Sequence, residues 1–278
     1  MPLTPLPDKL TRIPGTLGEI TDWIEQSVPC PNRPLALAAA LSAVSLALAG
    51  KVRFQETGPE INVLAVGVTG AGKTVALHRA QALLEHAGMG DSLVGGFASP
   101  EAVRQTRGWN TPVFWAEEHF DLRNFDNKRT GAILDAAFGG DGQPIVFHGQ
   151  GTPKGITAAC NSKRFRNISH GMLIVIAASR FTLRDGYDAD DVPTAPADQL
   201  ARWRAVREPV EVDITPDADA ERTERGIDRY AAHRVMADKL ALIFAASECG
   251  PGDPKPRITR AAVEWAWRLI DAIPTIEY

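Results

Sequence analysis

The chain has little cysteine and no cysteine spacing that makes a site. Cys30, Cys160 and Cys249 stand far apart with no C-x-x-C pair. This excludes a disulfide framework and a cysteine-based zinc module, and it predicts buried thiols of a reducing compartment. The six histidines are scattered too, so no structural metal is expected. The N-terminus, Met1-Pro2-Leu3-Thr4-Pro5-Leu6-Pro7, has no basic n-region, which predicts no secretory leader and a cytoplasmic location. The longest apolar run, Leu35 to Gly50, falls short of the roughly 20 residues that span a bilayer. Its alanine content predicts a helix buried inside a protein, and no membrane partner is expected. Neither charge sign dominates: 30 Lys and Arg stand against 34 Asp and Glu, a formal net charge of −4. That argues against a protein that coats nucleic acid with its whole surface, while leaving room for a local basic channel. No internal repeat is visible. With 278 residues, 44% of them hydrophobic, the chain can bury a sizeable core.

What is present is a complete G-x-x-x-x-G-K-[ST] pattern, Gly67-Val-Thr-Gly-Ala-Gly-Lys-Thr74. An apolar run, Asn62 to Val66, precedes it as a buried parallel strand would. After it Leu77, Ala80, Leu84 and Ala87 share one helical face until Gly88. Strand, loop and helix together are the context the motif needs. Gly67, Gly70, Ala71 and Gly72 would let successive backbone N–H groups and the positive helix end point at one anion. Lys73 is expected on the β- and γ-phosphates and Thr74 on Mg²⁺. ATP and Mg are therefore the expected cofactors.

A second informative segment is Thr111-Pro-Val-Phe-Trp-Ala-Glu-Glu118. A hydrophobic strand ending in two carboxylates, about forty residues after the lysine, has the form of a Walker B strand. Glu117 would hold the metal through its water shell, and Glu118 would orient and polarise the attacking water. The first acid of such a pair is usually Asp, so the extra methylene of Glu117 changes its reach.

Elsewhere, Thr16 and Glu19 suggest a capping box before an amphipathic helix. Val52 and Phe54 alternate within Lys51 to Glu56 as in a half-exposed strand, and Ser99-Pro100 suggests a capped helix start. Lys128 to Phe138 reads as a helix. Gln143 to Arg166 reads as two hairpins, with turns near Gly149-Gln150-Gly151 and Asn161-Ser162-Lys163. They carry Lys154, Lys163, Arg164 and Arg166 as a candidate nucleic-acid loop. Met172 to Ala178 reads as a strand buried on both faces. It is expected next to the Walker B strand, where Ser179 at its end would occupy the sensor position that feels the γ-phosphate. Asp185 to Ala197 reads as a mobile acidic loop and Val210 to Ile214 as a last strand. Helices follow from Pro216, the final one capped by Thr259 with Ile258 and Val263 spaced as a hydrophobic staple. The expected fold is α/β, a P-loop NTPase core of the RecA/AAA kind at 51–216 with a mainly parallel sheet. Helical segments are expected at 1–50 and 217–278.

This ordered set resembles the YfjI-like P-loop ATPases of prophage, phage and plasmid replication loci, which occur fused to or beside primases. The resemblance covers nearly the whole chain. It rests on Ala40-Leu41-Ser42-Ala43-Val44, Gly50-Lys51-Val52, Asn62, Glu117-Glu118, the strand ending at Ser179, Leu200-Ala201-Arg202-Trp203 and Lys239-Leu240-Ala241. The family often has Gln-Pro where this chain has Ser179-Arg180. The resemblance implies a replicative, helicase-like ATPase. A homo-oligomer is expected, a hexameric ring among its forms, with single-stranded DNA and a primase or other replication protein as partners. Arg202 is the candidate arginine finger acting on a neighbour's ATP, with Arg180 as its rival. Two other functions stay open: a small-molecule P-loop kinase with 185–197 as its lid, and a nucleotide-gated scaffold or loader with weak hydrolysis.

Overall fold

In the computed structural model, Asn62–Val66 (β2) is a strand at the heart of a five-stranded sheet. The structure describes residues 4–107, 111–117, 128–139, 145–159, 172–177, 183–184, 191–252 and 255–273. The sheet also contains Leu93–Val94 (β3), Val113–Glu117 (β4), Ile145–Gly151 (β5) and Met172–Ile176 (β6). Its order is β3-β4-β5-β2-β6, and every neighbouring pair is parallel. An all-parallel sheet must be covered on both faces, which is why the strands read as apolar runs rather than alternating ones.

Period-two geometry sends alternate residues of each strand into different cores. Val63, Ala65, Phe114, Ala116, Val146, Leu173 and Val175 join one apolar cluster. Leu64, Val66, Val113, Trp115, Ile145, Phe147, Met172, Ile174 and Ile176 join another. The first face is covered by Arg33–Leu48 (α3) and Lys73–His86 (α4), which pack on each other. Every residue of α3 from Pro34 to Leu48 is buried, as expected for a helix apolar all round. The second face is covered by Pro100–Arg107 (α5), Lys128–Gly139 (α6) and Pro153–Ala159 (α7), through Val103, Ile133, Leu134, Ala137, Ile156 and Ala159. Among the described residues no helix is long and apolar enough to cross a membrane.

The connections explain this division. From β2 the chain crosses to the far edge at β3, then returns through β4 to β5. Right-handed crossovers in opposite directions place their helices on opposite faces. The reversal falls at β2, and a doubly wound sheet opens its crevice at such a switch point, outside the carboxyl ends of the strands.

The remaining elements enlarge the first core. Asp8–Thr11 (α1), Gly15–Gln26 (α2), Thr194–Ala205 (α8), Pro216–Gly226 (α9), Ala231–Glu248 (α10) and Arg260–Ala272 (α11) complete the described helices. One apolar cluster runs from Leu6 to Ile270. The Trp265 indole donates to the Leu10 carbonyl at 2.9 Å, and Lys239 reaches the Glu60 carbonyl at 2.6 Å. Thr259 accepts from the Ala262 N–H at the start of α11, and Ile258 and Val263 are both buried, as the staple spacing requires.

Several local expectations are corrected. No Thr16–Glu19 capping box forms. Gly15 opens α2 instead, with φ +69°, and a Cβ there would stand 2.4 Å from the Ser247 carbonyl oxygen, so no side chain fits. The supposed hairpin at 149–151 is the carboxyl half of β5. Gly149 is there because a Cβ would stand 2.5 Å from the Phe147 ring. The second hairpin, near 161–163, lies outside the described residues. Thr194–Ala197 is helical, with Pro196 in the first turn, where a missing N–H costs nothing. Val210–Ile214 is no single strand. Val210–Glu211 (β7) pairs with Val52–Arg53 (β1), and Asp213–Ile214 (β8) pairs with Arg257–Ile258 (β9). Cys30 and Cys249 are half-buried free thiols rather than buried ones.

Candidate functional site

Residues Gly67 to Gly72 leave the carboxyl end of β2 and turn directly into α4. Gly70 and Gly72 have φ of +83° and +90°, the left-handed region that glycine enters without steric cost. Two close approaches add to this. A Cβ on Gly67 would lie 2.9 Å from the Ala177 Cβ, and one on Gly72 would lie 2.9 Å from the Cys30 carbonyl oxygen. The Gly67 N–H donates to the Gly151 carbonyl at 3.1 Å, tying the loop's first residue to β5. Helix α4 has no side-chain cap and no acid in its first turn. Its amino end therefore carries uncompensated N–H groups and the positive pole of its dipole.

Lys73 sits over this loop. Its Nζ donates to the carbonyls of Gly67 (2.9 Å) and Val68 (3.0 Å), and partial burial lowers its pKa from the usual lysine value. Among the described residues no carboxylate pairs with it. A cation held only by neutral carbonyls, above a bent and uncapped loop, suits an anionic ligand.

Thr74 and Glu117, the two expected metal ligands, do not meet in this structure. The Thr74 hydroxyl donates to Gln150 Oε1 at 3.0 Å. Glu117, opposite Gly149 at the end of β4, accepts from the Trp115 indole at 3.3 Å. Its Oε2 lies 3.2 Å from the position a Cβ would take on Gly96, beyond β3. Trp115 is itself fixed by edge contacts with Phe97 and Phe147, at centroid distances of 5.0 and 4.8 Å. Among the described residues no group of three or more His, Cys, Asp or Glu could cage a metal. A Mg²⁺ held by one hydroxyl, one carboxylate and a ligand's phosphates needs no such cage, so the donor set fits that ion.

The strand between β2 and β4 is β5, while β6 lies on the other side of β2. Strand β6, the one expected to lead to Ser179, therefore does not lie beside β4, contrary to the premise of the sensor assignment. Gln150, two residues after the buried His148, is the polar side chain that β5 brings to the loop. Only 4% exposed, it pairs with Thr74 through Oε1 while its Nε2 has no partner among the described residues. Sequence reading missed it, because a glycine on each side made it look like a turn. A seven-residue run starting Ile-Val-Phe was the available signal.

His148 is buried in β5, two residues before Gln150. Its Nδ1 lies 2.8 Å from the Ser42 hydroxyl of α3, and complete burial lowers its pKa to about 4, so the ring is neutral at pH 7. Arg202 lies exposed on α8, beside Gln199, Ala205, Val206 and Gly250–Gly252. Among the described residues it makes no ion pair, and its helix packs on α3 and α4. Glu118, Ser179, Arg180, Lys163, Arg164 and Arg166 lie outside the described residues. No family model matches the chain, and no curated protein is significantly similar to it.

Proposed function

We propose that this chain is a Mg²⁺-dependent ATP hydrolase with a P-loop core of the RecA/AAA kind, acting on DNA as a helicase-like motor in mobile-element replication. One observation carries the nucleotide reading. The loop Gly67–Thr74 stands at the switch point of a doubly wound sheet and opens a 14-residue helix whose first turn has neither cap nor acid. Anions are held at such helix ends by backbone N–H groups. The DNA and replication parts rest on the YfjI-like resemblance and on the basic residues around Lys154 and 163–166.

In this reading Gly70, Ala71 and Gly72 wrap the phosphates, and Lys73 leaves the Gly67 and Val68 carbonyls to take the β- and γ-oxygens. Thr74 and Glu117 hold Mg²⁺, which neutralises charge on those oxygens when bound. Glu117 must leave the Trp115 indole to do so. Glu118 accepts a proton from the attacking water. Arg202 reaches the γ-phosphate of a neighbouring subunit in a homo-oligomer, and Ser179 stays a candidate contact at the edge of the site. One observation favours a second reading, a nucleotide-gated loader with weak hydrolysis: Glu117 faces Trp115 rather than Thr74.

The test is calorimetric binding of ATP together with hydrolysis measured with and without single-stranded DNA. Lys73→Ala should weaken ATP binding by about ten- to a hundredfold, the value of a charge-assisted hydrogen bond. Unchanged binding would remove the loop from the site. Hydrolysis stimulated by DNA supports the motor, and slow hydrolysis indifferent to DNA supports the loader.

A further inference from the structure

We infer that a cavity at the amino ends of the sheet strands, away from the phosphate loop, binds a small organic carboxylate. This site goes beyond the nucleotide reading and does not rest on it. The cavity measures about 120 Å³, room for several waters or one small molecule. Thr111 and Pro112, which line it, come just before β4, and Ser92 comes just before β3. The strands are parallel, so all three stand at the end of the sheet opposite Gly67–Thr74. Helix α4, about 20 Å long for its 14 residues, starts at the phosphate loop and ends short of Met89, another lining residue.

The wall has a charged part and an apolar part. Lys51 and Arg204 are the charged residues, both half-buried, and the described lining contains no carboxylate. Lys51 is held in place before any ligand arrives. Its N–H donates to the Leu48 carbonyl and its carbonyl accepts the Val210 N–H, both at 2.8 Å. Its Nζ donates to the Val206 carbonyl at 2.7 Å, two residues past Arg204, which brings the two cations to one wall. That carbonyl is neutral and takes only one of the ammonium's three donors. Glu60 accepts the Gly50 N–H at 3.1 Å and lies outside the lining. Among the described residues neither cation makes an ion pair, and the buried Arg204 Nη1 has no hydrogen-bond partner. The apolar part, with Leu46, Ala47, Met89 and Pro112, decides the class of anion. A phosphate, hydrated on all sides, gains nothing from such a surface. A carboxylate on a short aliphatic body buries its CH₂ groups there, while its two oxygens suit a guanidinium and an ammonium. A cation near a helix carboxyl end also serves the helix dipole with no ligand at all. That alternative predicts a cavity indifferent to the charge of what enters it.

The experiment titrates the ¹⁵N-labelled full chain at pH 7 and low salt with sodium butyrate, with butyramide as its uncharged counterpart, and with sodium phosphate. The Ser92 and Thr111 amide signals report on the cavity. Butyrate should shift them saturably and bind at least about tenfold more tightly than butyramide or phosphate, the value of a charge-assisted hydrogen bond. Arg204→Met and Lys51→Met, which keep the chain length without the charge, should each weaken butyrate by about tenfold or more, and Lys73→Ala by less than about twofold. Butyramide binding as well as butyrate would leave the cations to the helix ends and overturn the inference. So would phosphate binding as well as butyrate, the absence of saturable shifts, or an equal loss in Lys73→Ala. The comparison of butyrate with butyramide needs no variant, so it decides even where a substitution disturbs folding.

Discussion

The two faces of the central sheet are built differently. The face under α3 and α4 is aliphatic and rich in alanine, and its cluster extends to Leu6 at one end of the chain and Ile270 at the other. The face under α5, α6 and α7 is smaller and centred on Trp115 between Phe97 and Phe147. Lys73, Thr74 and Gln150 belong to the first face, and Glu117 to the second. The groups proposed to hold the nucleotide's phosphates thus stand on the part of the molecule with the most burial behind it. The carboxylate stands on a few aromatic contacts, where local rearrangement has less packing to undo.

The largest expected effect that tests this comparison is on the first face. Leu41 is fully buried in the middle of α3, and Leu41→Ala should cost about 2–5 kcal/mol in urea unfolding. A loss under about 1 kcal/mol would mean that α3 is not the main support of the loop.

Next comes acid sensitivity on the same face. His148 has its pKa lowered to about 4 by burial, against about 6.5 in the unfolded chain. The unfolded state then binds a proton that the folded state refuses. Stability from the neutral ring is complete above pH 6.5 and is lost as the pH falls towards 4, by on the order of 3 kcal/mol. The difference between wild-type and His148→Gln stability curves should show this slope between pH 6.5 and 4, and none above pH 7. A difference independent of pH would mean that the ring is not held neutral.

The smallest effect belongs to the second face. Trp115→Phe should cost under about 1.5 kcal/mol, as a near-conservative apolar replacement. It removes the indole donor from Glu117, so Mg²⁺-dependent nucleotide affinity should rise. A fall in that affinity would show that the indole positions Glu117 for the metal rather than holding it away.

Much of the central scaffold was legible because local signals agreed. The strand–loop–helix around Gly67–Thr74 combines an apolar run, a fixed motif and helical spacing, and β4 ends where its acids begin. Strand β5 was hidden because glycine serves two purposes. At 149 it makes room for the Phe147 ring, while in sequence it reads as a turn. Helix α8 was obscured by Pro196, which is harmless only in a first turn. Packing also explains several residues behind the family resemblance. Leu200 and Trp203 are core, Ser42 meets His148, Asn62 accepts the Phe147 N–H at 3.2 Å, and Lys239 holds Glu60. The pairing of Thr74 with Gln150 was not legible, because strand order decides it and no local pattern encodes strand order.

The contact between Gly72 and Cys30 gives the loop a rear wall. The Pro29 carbonyl accepts the Arg184 N–H at 2.8 Å. Three residues beyond Cys30, Arg33 grips Asp22 and Glu25 at 2.6 Å each, locking the wall to α2 and α3. A ligand pressing on the open side of the loop would therefore meet a stiff backing rather than a hinge.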